Sequence, residues 1–338
     1  MGGQILDSAA DHYRRMTGPE GLDILRREWL AIARSSDMPN AGDYLSFDML
    51  SEPVALVRQA DGSVAGLSNV CRHRMATLLE GSGNARTLVC PYHRWTYALD
   101  GRLVAAPCMK EHRTLTESQS LPRFDVAEWQ GWIFIRLEGE GPFPVHRFDA
   151  LEPRLDERGI GSWVTAAWID YPSPWNWALM IENFSESYHH LAVHMETLQP
   201  FWPAAATYAA NTSANYAELR HPVHPQQGTF TVFTLFPLLA FTIQDPLPIV
   251  VWPRIIVRDG GYFDLRMHII VDPSLAGDAS LIEELRTVID RIHREDIPLM
   301  ERAWRGMQSQ FAGLGPLSHL ERPLELFHNY MVERLPPG

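Results

Sequence analysis

The chain has 338 residues, 46% hydrophobic and 21% charged, enough to build one large or two ordinary globular domains without disulfide staples. A formal net charge of −12 leaves no basic stripe to neutralise phosphates, which excludes a nucleic-acid role. Three cysteines do not make a secreted disulfide framework. Met1 to Arg15 holds no signal-like apolar stretch, and the longest apolar run, Phe230 to Ile243, is broken by Pro237; the expectation is a cytoplasmic protein without a membrane span.

The first 36 residues predict a helical segment, with Leu22, Leu25, Trp29 and Ile32 at three- and four-residue spacing. From Asp43 the pattern turns to short β-type runs: Val54 to Arg58, Val64 to Val70, Thr87 to Val89, Thr96 to Leu99 and Trp132 to Leu137. Turn signals separate them at Asp61-Gly62, Gly81-Ser82-Gly83-Asn84 and Asp100-Gly101. A Gly- and Pro-rich stretch, Glu138 to Pro144, marks a boundary. Beyond it, Trp175 to His194 predicts helix, Thr229 to Ile243 and Ile249 to Val271 predict strands, and Ser280 to Gln310 predicts a long helix. The fold class is α+β, divided as a helical segment (1–40), a small antiparallel β domain (41–140) and a helix-plus-sheet domain (141–338).

Cys71 and His73, then sixteen residues, then Cys90 and His93, give Cys-x-His…Cys-x2-His. Two thiolates can hold one iron and two imidazoles a second, a ligand set that raises the reduction potential. A zinc finger uses the same residue types but pairs Cys with Cys and His with His, whereas each pair here is mixed. The motif, with Trp95 following, resembles the Rieske [2Fe–2S] domain of ring-hydroxylating oxygenases. The chain departs from that family at two positions, where Met75 and Arg94 replace the usual glycines. Cys108 lies outside the motif as an ordinary thiol.

The second half carries Glu182-Asn183-Phe184-Ser185-Glu186-Ser187-Tyr188-His189-His190, then His194. Two histidines with a carboxylate nearby suit a facial triad that leaves coordination positions open on Fe(II). His189 and His194 form one candidate pair, and His190 and His194, at i,i+4, form another. On the long helix Leu285, Val288, Ile289, Ile292, Leu299 and Ala303 trace an apolar stripe. Asp296 falls inside it, Glu295 at its edge and Asp290 opposite. A carboxylate on an apolar face is costly unless paired or metal-bound. Asp296 capping a kink near Pro298 is the other reading.

The run resembles the oxygenase α-subunit signature, and the resemblance covers nearly the whole chain. It implies His189, His194 and Asp296 as ligands of a mononuclear non-haem Fe(II), with Asn183 near the metal. It further implies that Glu186 bridges a Rieske histidine of one subunit to His189 of another, as in carnitine- and choline-type monooxygenases. The implied architecture is a Rieske domain followed by a helix-grip, START-like catalytic domain, assembled as a homotrimer. The implied partners are O2, a small organic substrate and a ferredoxin or flavin NAD(P)H reductase, since no dinucleotide fingerprint follows a predicted strand.

The expected substrate is aromatic or alicyclic, in a pocket among Phe201, Trp202, Phe230, Phe233, Phe236, Phe241, Trp252 and His268. A quaternary ammonium compound held by cation–π contact is the alternative. Outside this class stand a Rieske electron carrier or redox sensor and a zinc-binding structural protein.

Overall fold

The computed structural model describes residues 14–109, 118–313 and 315–336. The first thirteen residues of the expected helical segment lie outside them. Helix α1 spans Pro19–Arg27, with Pro19 and Glu20 in its first turn and Arg26 and Arg27 in its last, as the helix dipole favours. The helix stops there, and Leu30–Arg34 is strand β1. Every residue of β1 is buried and it pairs with a later strand, so the three- and four-residue spacing that suggested continued helix is overridden by sheet pairing.

Strands β2 (Asp43–Met49), β3 (Glu52–Arg58), β4 (Val64–Ser68), β5 (Ser82–Asn84), β9 (Arg123–Trp129) and β10 (Trp132–Arg136) join β1 in one sheet, ordered β1-β10-β9-β4-β3-β2-β5. The expected turn at Gly81 to Asn84 thus contains a short edge strand on β2. Strands β6 (Leu88–Val89), β7 (Thr96–Tyr97) and β8 (Leu103–Ala105) form a small second sheet. Between these sheets, Val57, Leu67, Leu88, Trp95, Tyr97, Leu103 and Leu121 close a core that includes Cys71 and Cys90.

Helix α2 (Glu152–Arg158), β11 (Val164–Tyr171) and α3 (Trp177–Phe184) follow, then β12 (Tyr208–Thr212), β13 (Tyr216–Arg220), β14 (Thr229–Leu235), β15 (Leu239–Asp245), β16 (Ile249–Val257) and β17 (Phe263–Val271). The sheet order is β11-β17-β16-β15-β14-β13-β12, all antiparallel. The two long runs expected as strands are therefore two hairpins. Helices α4 (Ala279–Met307) and α5 (Arg322–Val332) complete the chain.

The sheet has two working faces, because side chains alternate along each strand. Phe233, Leu235, Phe241, Ile243, Val250 and Trp252 turn toward Trp132, Phe134, Phe148 and Trp163, fusing the sheet to the first domain. Burying each such side chain contributes ~1.5–3 kcal/mol. On the other side, Ile249, Ile269 and Val271 meet Leu275, Ile282, Leu285 and Ile289, so α4 lies across that face. The buried residues of α4 are His293, Asp296 and Met300, while Val288 and Leu299 are exposed. The apolar line on α4 is thus narrower than the expected stripe. Among the described residues no helix is long and apolar enough to cross a membrane.

Candidate metal centres

Two loops with the same hydrogen-bond pattern present the first ligand set. Cys71 N–H donates to the Ala76 carbonyl at 2.9 Å, and Met75 N–H returns to the Cys71 carbonyl at 3.1 Å. Cys90 N–H donates to Trp95 at 2.8 Å, and Arg94 N–H returns to Cys90 at 3.1 Å. Each loop needs a left-handed residue at its fifth position, and there φ is 55° at Met75 and 62° at Arg94. That geometry accounts for glycine being usual at both places; the side chains here cost ~1–2 kcal/mol each.

Both cysteines are free and buried. The rings of His73 and His93 stand 4.6 Å apart, and each has a buried Nδ1 with no hydrogen-bond partner among the described residues. Two thiols and two unclaimed imidazole nitrogens on facing loops fit a [2Fe–2S] cluster, and unpaired buried nitrogens are otherwise rare. Trp95 stacks on His73 at 4.8 Å and 6°. Tyr97, unnoticed in the sequence, places its hydroxyl 3.4 Å from Cys71 Sγ and accepts the Arg72 N–H at 3.0 Å. Cys108 sits apart from this core, exposed.

The second set gathers from α3, a short turn and α4. Asn176 caps α3 by accepting the Ala178 N–H, and the helix ends at Phe184. Ser185 Oγ then hydrogen-bonds to the Ile181 carbonyl and lies 2.8 Å from Thr234 Oγ1 on β14. This fixes where the chain leaves the helix. The expected helix to His194 gives way to a 3-10 turn, Tyr188–Leu191, because Glu186 accepts the backbone N–H groups of Tyr188 and His189.

Glu186 also holds His189 Nδ1 with its other oxygen, so it is not a solvated surface residue. Glu295 Oε2 holds His194 Nδ1 at 2.8 Å and accepts from Thr197 Oγ1 at 2.6 Å. With both Nδ1 atoms claimed, each ring offers Nε2. Those two nitrogens flank Asp296 Oδ1, at 3.6 Å from His189 and 3.1 Å from His194. Asp296 Oδ1 is buried and makes no well-directed hydrogen bond. Two imidazole Nε2 atoms beside one carboxylate oxygen, with carboxylates behind the imidazoles, fit a facial triad for Fe(II).

Burial opposes charge on both His194 and Asp296. Their proximity outweighs it, raising the imidazole pKa and lowering that of the carboxyl. Glu295 therefore stands behind the His194 ring, and Asp296 is the carboxylate that faces both Nε2 atoms. Asp290 is held elsewhere by Tyr171 and Arg294. Asn183 lies in the last turn of α3, and among the described residues its side chain makes no hydrogen bond.

His190 is drawn into the same group: donor atoms of His189, His190 and His194 lie within 4.8 Å of one another. Unlike the other two, it has no carboxylate behind it, and burial followed by the neighbouring histidines pushes its pKa far down. Of the expected pocket residues, Phe201, Trp202 and Phe230 form a connected wall, with ring contacts of 6.0 and 5.0 Å. Phe233, Phe241 and Trp252 turn to the opposite face, His268 stands against Trp252 there, and Phe236 packs on α5. On the strands, parity rather than hydrophobicity decides which face an aromatic takes.

Residues 28–125 match the Rieske [2Fe-2S] domain family, and residues 160–336, more than half the chain, match the ring hydroxylating alpha subunit (catalytic domain) family. The chain belongs to the ring hydroxylating alpha subunit family. A Rieske domain beside that catalytic domain implies a [2Fe–2S] cluster and a mononuclear iron.

Among relatives of this alpha subunit, the glycine betaine monooxygenase oxygenase subunit of Pseudomonas aeruginosa is 33% identical over 66% of the chain and 55% of the relative. The carnitine monooxygenase oxygenase subunit of Acinetobacter baumannii is 31% identical over 49% and 46%. The match therefore spans about half the length of these curated relatives. The carnitine monooxygenase oxygenase subunit of Escherichia coli is 24% identical over 93% of the chain and 89% of its own.

The alpha subunit shares its fold with the quaternary ammonium Rieske monooxygenase CntA in complex with L-carnitine, at a TM-score of 0.82 and 22% identity over 96% and 95% of the two chains. It also shares it with naphthalene 1,2-dioxygenase from Rhodococcus sp., at 0.69 and 19% over 95% and 91%.

Proposed function

We propose that this chain is the terminal oxygenase of a multicomponent system. Electrons from a ferredoxin or flavin NAD(P)H reductase enter through a cluster held by Cys71, His73, Cys90 and His93. They serve oxidation of a small organic substrate at an iron held by His189, His194 and Asp296. The observation that carries this reading is that the Nε2 atoms of His189 and His194 both lie beside Asp296 Oδ1, at 3.6 and 3.1 Å. When bound, the iron supplies O2 activation beside the substrate.

The protein's part is positional. Glu186 and Glu295 fix the imidazole tautomers, and Asp296 balances the metal's charge inside a buried site. In the overall balance one oxygen atom enters the substrate and the other leaves as water, with two electrons from the reductase and two protons.

The substrate class we favour is a small amine or quaternary ammonium compound. The named relatives act on glycine betaine and carnitine, and another, 33% identical over 55% of this chain, is a putrescine 2-hydroxylase of Ralstonia nicotianae. The Phe201, Trp202 and Phe230 wall supplies ring faces for a cation. This shifts the preference from the aromatic substrate expected from sequence, since the likeness to naphthalene dioxygenase extends to the fold alone.

The proposal includes a cluster unit over 41–140, a catalytic unit over 141–338, a cytoplasmic setting and a homotrimer in which Glu186 carries electrons between subunits. Anaerobic purification with metal analysis tests it. About three irons per chain, a red-brown spectrum and substrate-dependent O2 uptake with a reductase are expected. Two irons and no O2 uptake would leave an electron carrier, and a colourless zinc protein would end the reading.

A further inference from the structure

Beside the triad lies a second pair of histidines for which the ligand set has no use. His221, immediately after β13 and only 3% exposed, folds its ring back so that Nδ1 lies 3.0 Å from the Phe230 carbonyl oxygen. A carbonyl only accepts, so Nδ1 carries the proton and donates. In the neutral ring Nε2 is then a bare lone pair. Burial pushes the pKa of His221 down to about 4, with the Phe230 contact opposing, so the neutral form prevails near pH 7. Nε2 is buried and has no partner among the described residues.

His190, 5% exposed, lies over that ring at 5.6 Å and 13°, and its Nδ1 is likewise buried and unpartnered. Rings so nearly parallel do not hydrogen-bond to each other in plane. His190 in turn stands 4.8 Å from the ring of His189 and 5.2 Å from that of His194. Phe230, 5.0 Å from His221, continues the same surface into the aromatic wall. Two unsatisfied nitrogens therefore sit one ring removed from the place where a substrate would be oxidised. Leaving each buried without a partner is costly.

We propose that His221 Nε2 accepts a hydrogen bond from the substrate, so that this chain selects substrates bearing a hydroxyl or an N–H amine near the carbon to be oxidised. A hydroxyl or an amine N–H donates to His221 Nε2 and satisfies it. A fully methylated ammonium has no proton to give, and a carboxylate only accepts. The inference deepens the oxygenase reading above and rests on it.

L-Carnitine and γ-butyrobetaine form a matched pair differing by one hydroxyl. Calorimetric titration of the iron-loaded holoenzyme without O2 should show carnitine binding about tenfold more tightly, the worth of one hydrogen bond to an otherwise unpaired buried group. His221→Phe should bring the ratio close to one. Equal affinities in the wild type, or a ratio that survives the substitution, would overturn the proposal.

Nitrogen-15 spectra of histidine-labelled wild type give a reading independent of the variant's folding. The Nδ1–H tautomer at His221 is expected, and the Nε2–H tautomer would refute it. If neither compound binds, the quaternary ammonium preference fails separately, and benzyl alcohol against toluene becomes the deciding pair. Equal affinity within whichever pair binds sinks the inference.

Discussion

Glu295 is the residue whose role changed most between sequence and structure, and its replacement separates ligation from support. Its Oε2 lies 2.8 Å from His194 Nδ1, on the side of the ring away from Asp296. Glu295→Gln keeps the length and an acceptor oxygen but removes the charge. A charge-assisted hydrogen bond is worth ~1.5–3 kcal/mol and a neutral one ~0.5–1.5, so the loss is about 1–1.5 kcal/mol, or roughly tenfold in iron affinity.

Glu295→Ala also strands the Thr197 hydroxyl, which donates to the same oxygen at 2.6 Å. A loss toward 100-fold is expected there. The assay is anaerobic competition against a ferrous chelator, with the cluster's visible absorbance in the same cuvette reporting on integrity of the fold. Asp296→Ala should abolish iron retention outright. Iron loss in Glu295→Gln as complete as in Asp296→Ala would make Glu295 a ligand and refute the assignment, as would wild-type retention in Glu295→Ala.

Tyr97→Phe removes the hydroxyl 3.4 Å from Cys71 Sγ and should lower the cluster potential by ~20–60 mV, the equivalent of one hydrogen bond for a one-electron couple. Spectroelectrochemistry checks it, and an unchanged potential would remove Tyr97 from the cluster's environment. His268 is buried on the face toward the first domain, and its pKa is held well below the usual value by burial and then by Arg254, Arg266 and Arg34. A depressed histidine contributes fully above the unfolded pKa of about 6.5, and that contribution is lost as pH falls toward the folded value. His268→Phe should therefore lose ~1.4 kcal/mol less stability than wild type between pH 7.5 and 5.5. Parallel denaturation profiles would contradict this.

The parts of the site visible in sequence are those set by local spacing. Cys71 with His73 and Cys90 with His93 lie on short loops, and the structure brings them together across one core. His189 and His194 also stand five residues apart, and Asp296 was visible because a carboxylate interrupted an apolar line. What spacing does not encode is which side of a ring or a strand faces inward. Glu295 adjoins Asp296 on α4, yet the helical rotation sends it behind His194. Phe230 and Phe233 are equally apolar, but their odd separation sends them to opposite faces of β14. β1 was missed because its partner, β10, is about a hundred residues away and a local window contains no trace of it. His221 gave no signal at all, since a lone histidine after a strand has no pattern until its Nδ1 is seen on the Phe230 carbonyl.

The two metal centres leave uncovered apolar groups on the surface of a single chain. Met75 is 80% exposed and Tyr92 54%, both on the loops that carry the cluster ligands. Tyr188, Leu191 and Met195 are exposed on the segment that carries His189 and His194. Among the described residues neither rim covers the other, which suits the assembly proposed above, in which a second subunit would cover both. Were these two unlike patches to meet in that assembly, the contact would be head-to-tail, and such contacts close into rings when the rotation allows.

Electrons would then pass from the cluster of one subunit to the iron of the next by way of Glu186, which already grips His189 Nδ1. Co-expressing Cys71→Ser, which keeps its iron site, with Asp296→Ala, which keeps its cluster, makes this decisive. Each variant alone should be inactive. In rings assembled at random from equal amounts, a junction works when an Asp296→Ala subunit donates to a Cys71→Ser subunit, which is about one junction in four. Roughly a quarter of wild-type activity should return, and adding Glu186→Ala to the Cys71→Ser chain should remove it. Complete inactivity of the mixed rings, with both metal centres present by spectroscopy, would place the electron path inside the chain and undo the role given to Glu186.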